Sequence, residues 1–218
     1  MGFDLGPIWA ISIFGELQTM KKLLAAASMA MLIATPAFAQ MPGAPDTSRI
    51  AAATYKVDGH HTQVVWSLNH MGFSVLYGMF GEMTGSLTLD PANPSAAKVV
   101  IDIPMSGSTT TSPGFTKHLA SKDLLDVEKF PTAKFVSTSV VVDGQTAKIN
   151  GDLTLKGVTK PVTLDAKLTG AGTNPMSKAA TVGFEATAKI KRSDFGLGYA
   201  LPVVGDDVDL KITAAFEK

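Results

Sequence analysis

Residues 55–90 read YKVDGHHTQVVWSLNHMGFSVLYGMFGEMTGSLTLD. Val64, Trp66, Leu68 and His70 fall at every second position, with Gln63, Ser67 and Asn69 between them. Such alternation marks a strand with one buried face and one wet face. Gly72, Gly78, Gly81 and Gly85 punctuate two further apolar runs, as bends or bulges in a curved sheet require.

The same period returns down the chain. Val99, Ile101, Ile103 and Met105 form one row, Ala133 and Phe135 a second, and Ile149, Gly151, Leu153 and Leu155 a third. Val162 to Leu168, Val182 to Ile190 and Val208 to Phe216 follow the same rule, with Lys, Asp, Glu and Thr on the alternate positions. Asp143-Gly144 and the stretch Lys156 to Pro161 read as hairpin connections. Only Phe115 to Lys129 breaks the two-residue period. Phe115 and Leu119 are four apart and Leu124-Leu125 follow, which predicts one or two short helical turns ended by Pro131. An antiparallel all-β chain without a βαβ rhythm implies a barrel or a sandwich.

The N-terminus has a different character. Met20-Lys21-Lys22 is a basic start, Leu23 to Ile33 an apolar core, and Ala37-Phe38-Ala39 precedes Gln40. That order is a secretory signal peptide over 20–39, which places the mature protein in the periplasm or outside the cell. Residues 1–19 read as an upstream extension from a mis-called start, and residues 40–54 as a flexible Pro-, Gly- and Ala-rich leader. The β domain is then 55–218, a length that fits one domain burying roughly 70% of its unfolded surface. The 218-residue chain has 19 basic and 19 acidic side chains and no cysteine. It shows no basic stripe for nucleic acid, no disulfide, no thiolate metal site and no cysteine for a lipid anchor.

Two kinds of barrel share such alternation, one with an apolar interior and one with an apolar exterior in an outer membrane. Outer-membrane strands carry aromatic girdles, whereas this β domain has one Trp and three Tyr, and its polar faces are dense in Lys and Asp. The apolar side therefore faces inward, without stable membrane insertion. Gly85, Gly151, Ala166, Ala186, Ala188 and Ala214 all fall on it. Either they leave room for a guest, or they let two faces approach closely.

Chemistry-bearing motifs are sparse. His60, His61, His70 and His118 show no H-x-H or H-E-x-x-H spacing, and adjacent residues on a strand point to opposite faces. No metal site or cofactor is expected, and the histidines read as hydrogen-bonding groups at strand ends. Arg192 and Asp194 continue the inward parity of Ile190. A buried Arg must be paired, so an Arg–Asp pair with Asp58 or Asp194 at the barrel end is expected, or contact with a ligand head group. There is no G-x-S-x-G elbow and no phosphate loop, so no catalytic residue is nominated. A lipid-acting enzyme with His70 or His118 as base, or a ligand-free interaction module with a filled core, is the alternative.

Five pieces, in order, resemble the YceI family of exported lipocalin-like proteins. They are YKVDGHHTQVVWSLNHMGFS, GSLTLDP, HLASKDLLDVEKFPTAKF, GDLTLKGVTKPVTL and RSDFG ahead of GDDVDLKI. The resemblance covers essentially Tyr55 to Lys218. It implies an all-β, antiparallel, lipocalin-like barrel of about eight strands with one short helical insertion. It also implies a polyisoprenoid, isoprenoid quinone or other long-chain amphiphile as partner, and leaves room for a homodimer. Leu124-Leu125 stands where family members often carry Phe-Phe, and Phe115-Thr116-Lys117 where they often carry an Arg-Asp pair.

Interior parity and this resemblance together nominate the ligand-contacting side chains. From the first hairpin come Trp66, Leu68, His70, Phe73 and Val75, and from the next strands Leu87, Leu89 and Ile101. Leu119 and Leu124 come from the insertion, while Phe135, Leu153, Leu164, Phe184 and Ala186 come from the long strands. Arg192 and Phe195 complete the set near the barrel end.

Overall fold

The computed structural model describes residues 41–218. The expected signal peptide and the stretch before it lie outside the described residues.

Ten strands follow in chain order: β1 (Ala53–Val57), β2 (Gln63–His70), β3 (Ser74–Phe80), β4 (Thr84–Leu89), β5 (Lys98–Pro104), β6 (Thr132–Asp143), β7 (Thr146–Leu155), β8 (Val158–Thr173), β9 (Ala180–Lys191) and β10 (Asp207–Glu217). β1, β4, β5, β6, β7, β8, β9 and β10 pair antiparallel in that order, and β1 also pairs with β10, closing an eight-stranded barrel. β2 pairs with β10 beside β1 and carries β3 as an outer edge. The fold is the all-β, lipocalin-like barrel that the resemblance implies, one of the two architectures that the alternation allows.

One end carries the β6–β7 hairpin and the segment before β1; we call it the leader end. At the other end stand the β2–β3 turn, the loop from Gly196 to Gly205 and the one α-helix among the described residues, α1 (Pro113–Ala120). We call this the helix end. Ser112 caps α1 by accepting from the Phe115 N–H at 3.3 Å, and Pro113 occupies the first turn, where no N–H is needed. After α1 the chain folds back as turns, with Leu125 N–H donating to the Leu119 carbonyl at 3.0 Å. Leu125 is buried in the core, while Leu119 and Leu124 are half-buried.

The apolar parity points inward and the charged parity outward. Lys134 meets Asp102 at 3.2 Å and Lys189 meets Asp209 at 2.7 Å, both across strand pairs on the outer face, and Lys148 meets Asp165 in the same way. Exposed pairs of this kind add only about 0–1 kcal/mol each, but they show which face water wets.

The leader is seated, which its composition alone does not predict. Ala44 pairs with Ala171 through backbone hydrogen bonds of 3.2 and 2.7 Å, and the Gln145 amide donates to the Pro45 carbonyl. Gly172 permits this approach, because a Cβ there would stand 2.3 Å from the Pro42 oxygen. The Tyr55 hydroxyl, fully buried, donates to the Ala51 carbonyl at 2.6 Å and ties the leader to β1.

Candidate functional site: the barrel cavity

The barrel is not filled. A cavity of about 620 Å³ is lined by side chains from every strand of the ring except β1, by the β2–β3 hairpin, by the insertion and by the leader. That volume lies in the range of roughly 300–1,000 Å³ typical of small-molecule sites. The lining is apolar apart from Thr47, Thr62, His70, His118, Gln145, Thr146, Lys167, Arg192 and Tyr199. Thr47, Gln145, Thr146 and Lys167 sit at the leader end; His70, His118, Arg192 and Tyr199 sit at the helix end. Between them lies a nearly continuous hydrocarbon wall, with Thr62 as its polar exception.

Of the nominated side chains, Trp66, Leu68, His70, Leu87, Leu89, Ile101, Leu119, Leu124, Phe135, Leu153, Leu164, Phe184, Ala186 and Arg192 line this cavity. Phe73 and Val75 do not: they are 89% and 49% exposed. Partners across an antiparallel pair share a face. Val75 pairs with Asn69 on the wet side, whereas Leu76 pairs with Leu68 and Phe80 with Val64 on the inner side. The β2–β3 turn keeps the even parity of β2, so the inward residues of β3 are also the even ones and the odd Phe73 and Val75 face outward. Phe195 is also displaced: it is buried, but it ends the tight turn at Arg192–Phe195 and borders a small outer cleft beside Lys160 and Pro161.

Arg192 has partners other than the carboxylate its sequence position suggested. Its Nε donates to the Gly205 carbonyl at 2.8 Å, one terminal nitrogen to Tyr199 at 2.8 Å and to Leu197, and the other to Val204 at 2.9 Å. Four of its five N–H groups are thereby spent on the carbonyls of one loop. Burial pushes the guanidinium pKa down, and nearby Asp206 pulls it back up. Asp206 accepts from the Ser193 N–H at 2.9 Å and from its hydroxyl at 2.7 Å, which holds its carboxyl below the usual value. Asp58 pairs with His61 at 2.6 Å instead. Arg192 thus staples the helix-end loop rather than forming an ion pair.

The small inward residues divide by role. Gly151 makes room for a neighbour: a Cβ there would come 2.4 Å from the Phe135 ring. Gly78 does the same for the Trp66 indole, at 2.2 Å. Ala166, Ala186 and Ala214 line the open space itself. Trp66 is 6% exposed, and its Nε1–H has no acceptor among the described residues.

Sequence parity missed Val140 and Val142, which line the cavity although Ala133 and Phe135 are odd-numbered. A register shift between Ser137 and Ser139 reverses parity midway along β6. The run Val140-Val141-Val142 hides this, since it shows no alternation. Among the described residues, no three His, Asp or Glu side chains gather as a metal site would need.

The sequence matches the YceI-like domain over residues 55–216. The chain belongs to the YceI family. It is 46% identical over 164 residues to Protein YceI of Escherichia coli O17:K52:H18, covering 74% of this chain and 85% of that one. A solved Campylobacter jejuni YceI protein is similar at 28% identity and a TM-score of 0.61, over 69% of this chain and 89% of that one. A polyisoprenoid-binding domain from Saccharophagus degradans shares the fold at 14% identity and a TM-score of 0.58, over 75% and 97% of the two chains. This YceI-family chain is a barrel with a hydrophobic chamber.

Proposed function

We propose that the protein is a periplasmic carrier that holds one long apolar chain, a polyisoprenoid, isoprenoid quinone or similar amphiphile, inside the barrel. The observation that carries this reading is the 620 Å³ cavity, whose polar side chains are gathered mainly at its two ends. Each buried CH₂ contributes about 0.8 kcal/mol, so a few isoprene units supply gross stabilisation near ten. Ordering the chain takes much of this back, so tunnel length and not accumulated affinity sets the preferred guest. The name of the E. coli relative specifies no guest; the Saccharophagus domain supports the architecture. The enzyme alternative gains nothing specific, since neither His70 nor His118 has a carboxylate partner in the described hydrogen bonds and ion pairs.

The test is to incubate the protein with liposomes carrying a polyprenol and a quinone, re-isolate it and extract it with organic solvent. Recovery of unchanged chain, at up to one per barrel, is the expected result. Recovery of a chemically altered chain would overturn carriage in favour of catalysis, and recovery of none would overturn binding.

Periplasmic location rests on the basic, apolar and A-x-A order of residues 20–39. N-terminal sequencing of the protein purified from its native compartment should begin at Gln40 or close by. A cytoplasmic protein beginning at Met1 would contradict this.

The insertion acts as a cover pinned by Leu125. Leu119→Ser with Leu124→Ser should speed guest release severalfold while costing less stability than Leu125→Ala, whose buried side chain should cost about 2–5 kcal/mol. Stopped-flow dilution of a loaded fluorescent chain, beside urea unfolding, measures both.

A further inference from the structure

The two ends of the cavity differ in what they show to water. At the leader end the exposed lining residues are Gly144 and four polar ones, Thr47, Gln145, Thr146 and Lys167. At the helix end they include Met71 and Tyr199, and these continue outward into more apolar surface. Ten large apolar side chains are exposed among the described residues, and six of them are here: Met71, Phe73, Val75, Tyr77, Tyr199 and Val203. Two segments supply all six, and they are joined. His70 bridges to Val204, and the Gly205 N–H donates to the Asn69 carbonyl at 2.8 Å.

Neither segment carries a charge. Residues 69–81 read NHMGFSVLYGMFG and residues 195–205 read FGLGYALPVVG, without one Asp, Glu, Lys or Arg, in a chain that is 17% charged. Phe73 stands at the hairpin tip, 89% exposed. Its backbone N–H is already tied to the His70 carbonyl at 3.1 Å, so the tip is held in place. A contiguous apolar surface of this kind on a soluble face marks an interaction site. A protein partner is usually selected through a charged or polar rim. A charge-free apolar tip flanked by two tyrosines instead matches the boundary between head groups and acyl chains, where aromatic rings settle.

We infer that the helix end of the barrel is a membrane-docking face. The β2–β3 tip and the Gly196–Gly205 loop insert shallowly into a lipid bilayer and set the apolar mouth of the cavity against it. The docking rests on the carrier reading for its purpose, since it lets a guest pass between bilayer and barrel without crossing water. Because the two inserting segments are uncharged, attachment needs no anionic lipid and resists salt.

The test is co-sedimentation of the mature protein, beginning at Gln40, with sucrose-loaded vesicles of pure phosphatidylcholine, at low and at 0.5 M salt. The comparison variant is Phe73→Ser with Tyr77→Ser, two outward side chains that do not touch the cavity. The intact protein should sediment equally at both salt concentrations, and the variant should partition at least about tenfold less. Chain extracted from each protein after loading with solvent-dissolved polyprenol, without vesicles, should be the same from both, which separates docking from cargo binding. An intact protein that sediments but yields no lipid would leave docking standing and remove the carrier reading. Attachment that requires anionic lipid and is lost in salt would overturn the inference, as would equal sedimentation of the variant. Sedimentation velocity supplies a further outcome: a dimer that the variant converts to monomer would assign the face to a second copy of the chain and overturn membrane docking.

Discussion

Ala186→Trp should abolish retention of a long chain while costing little stability. Ala186 lies on β9 between Phe184 and Ala188, pairs with Ala166 on one side and Ile212 on the other, and lines the open cavity. An indole there occupies space that the guest would otherwise fill. In a packed core the same change would force rotamers and backbone apart, at about 1–3 kcal/mol or more. In an open chamber the added ring gains contact area instead. Thr187→Trp is the control, since Thr187 is exposed on the opposite parity and should leave retention unchanged. Thermal midpoint and lipid recovered on extraction, measured on both variants, decide the matter.

Arg192→Ala should destabilise the protein by about 3–4 kcal/mol. It leaves the carbonyls of Leu197, Tyr199, Val204 and Gly205 without their shared donor in a place where Arg192 itself is 5% exposed. Arg192→Lys should recover little, because a single ammonium cannot present a planar fork to four oxygens. Hydrogen exchange should localise the damage to Gly196–Gly205 and the β2–β3 turn, which the loop braces through Gly205 and Val204. Urea unfolding within about 0.5 kcal/mol of the parent would show that the loop holds itself together without the staple.

Much of this architecture is legible in the sequence because a two-residue period needs no knowledge of partners. Val99 to Met105, Leu153 to Leu168 and Leu210 to Phe216 announce their inner faces directly, and most of those side chains line the cavity. Failures occur where one residue reverses the parity. The irregularity at Ser137–Ser139 does so for Val140 and Val142, whereas the β2–β3 turn preserves the even parity of β2 and so leaves the odd Phe73 and Val75 outside. A bulge leaves no mark in composition, and a flanking run of valines conceals it. Arg192 fails for another reason: a buried guanidinium announces a need for acceptors, but backbone carbonyls satisfy it as well as a carboxylate, and every residue has one. The small residues were undecidable for a similar reason. Gly151 serves the Phe135 ring and Ala186 serves the cavity, a distinction that depends on what stands opposite each in space.

The central claim is that the barrel holds one long apolar chain in an unfilled interior. Native mass spectrometry of the protein, purified without detergent from cells that export it, tests this most directly. The account predicts a mass above that of the polypeptide by one lipid, released intact on activation and absent from Ala186→Trp. A parent barrel flying at the mass of its polypeptide alone, with Ala186→Trp as unstable as an overpacked core, would contradict it.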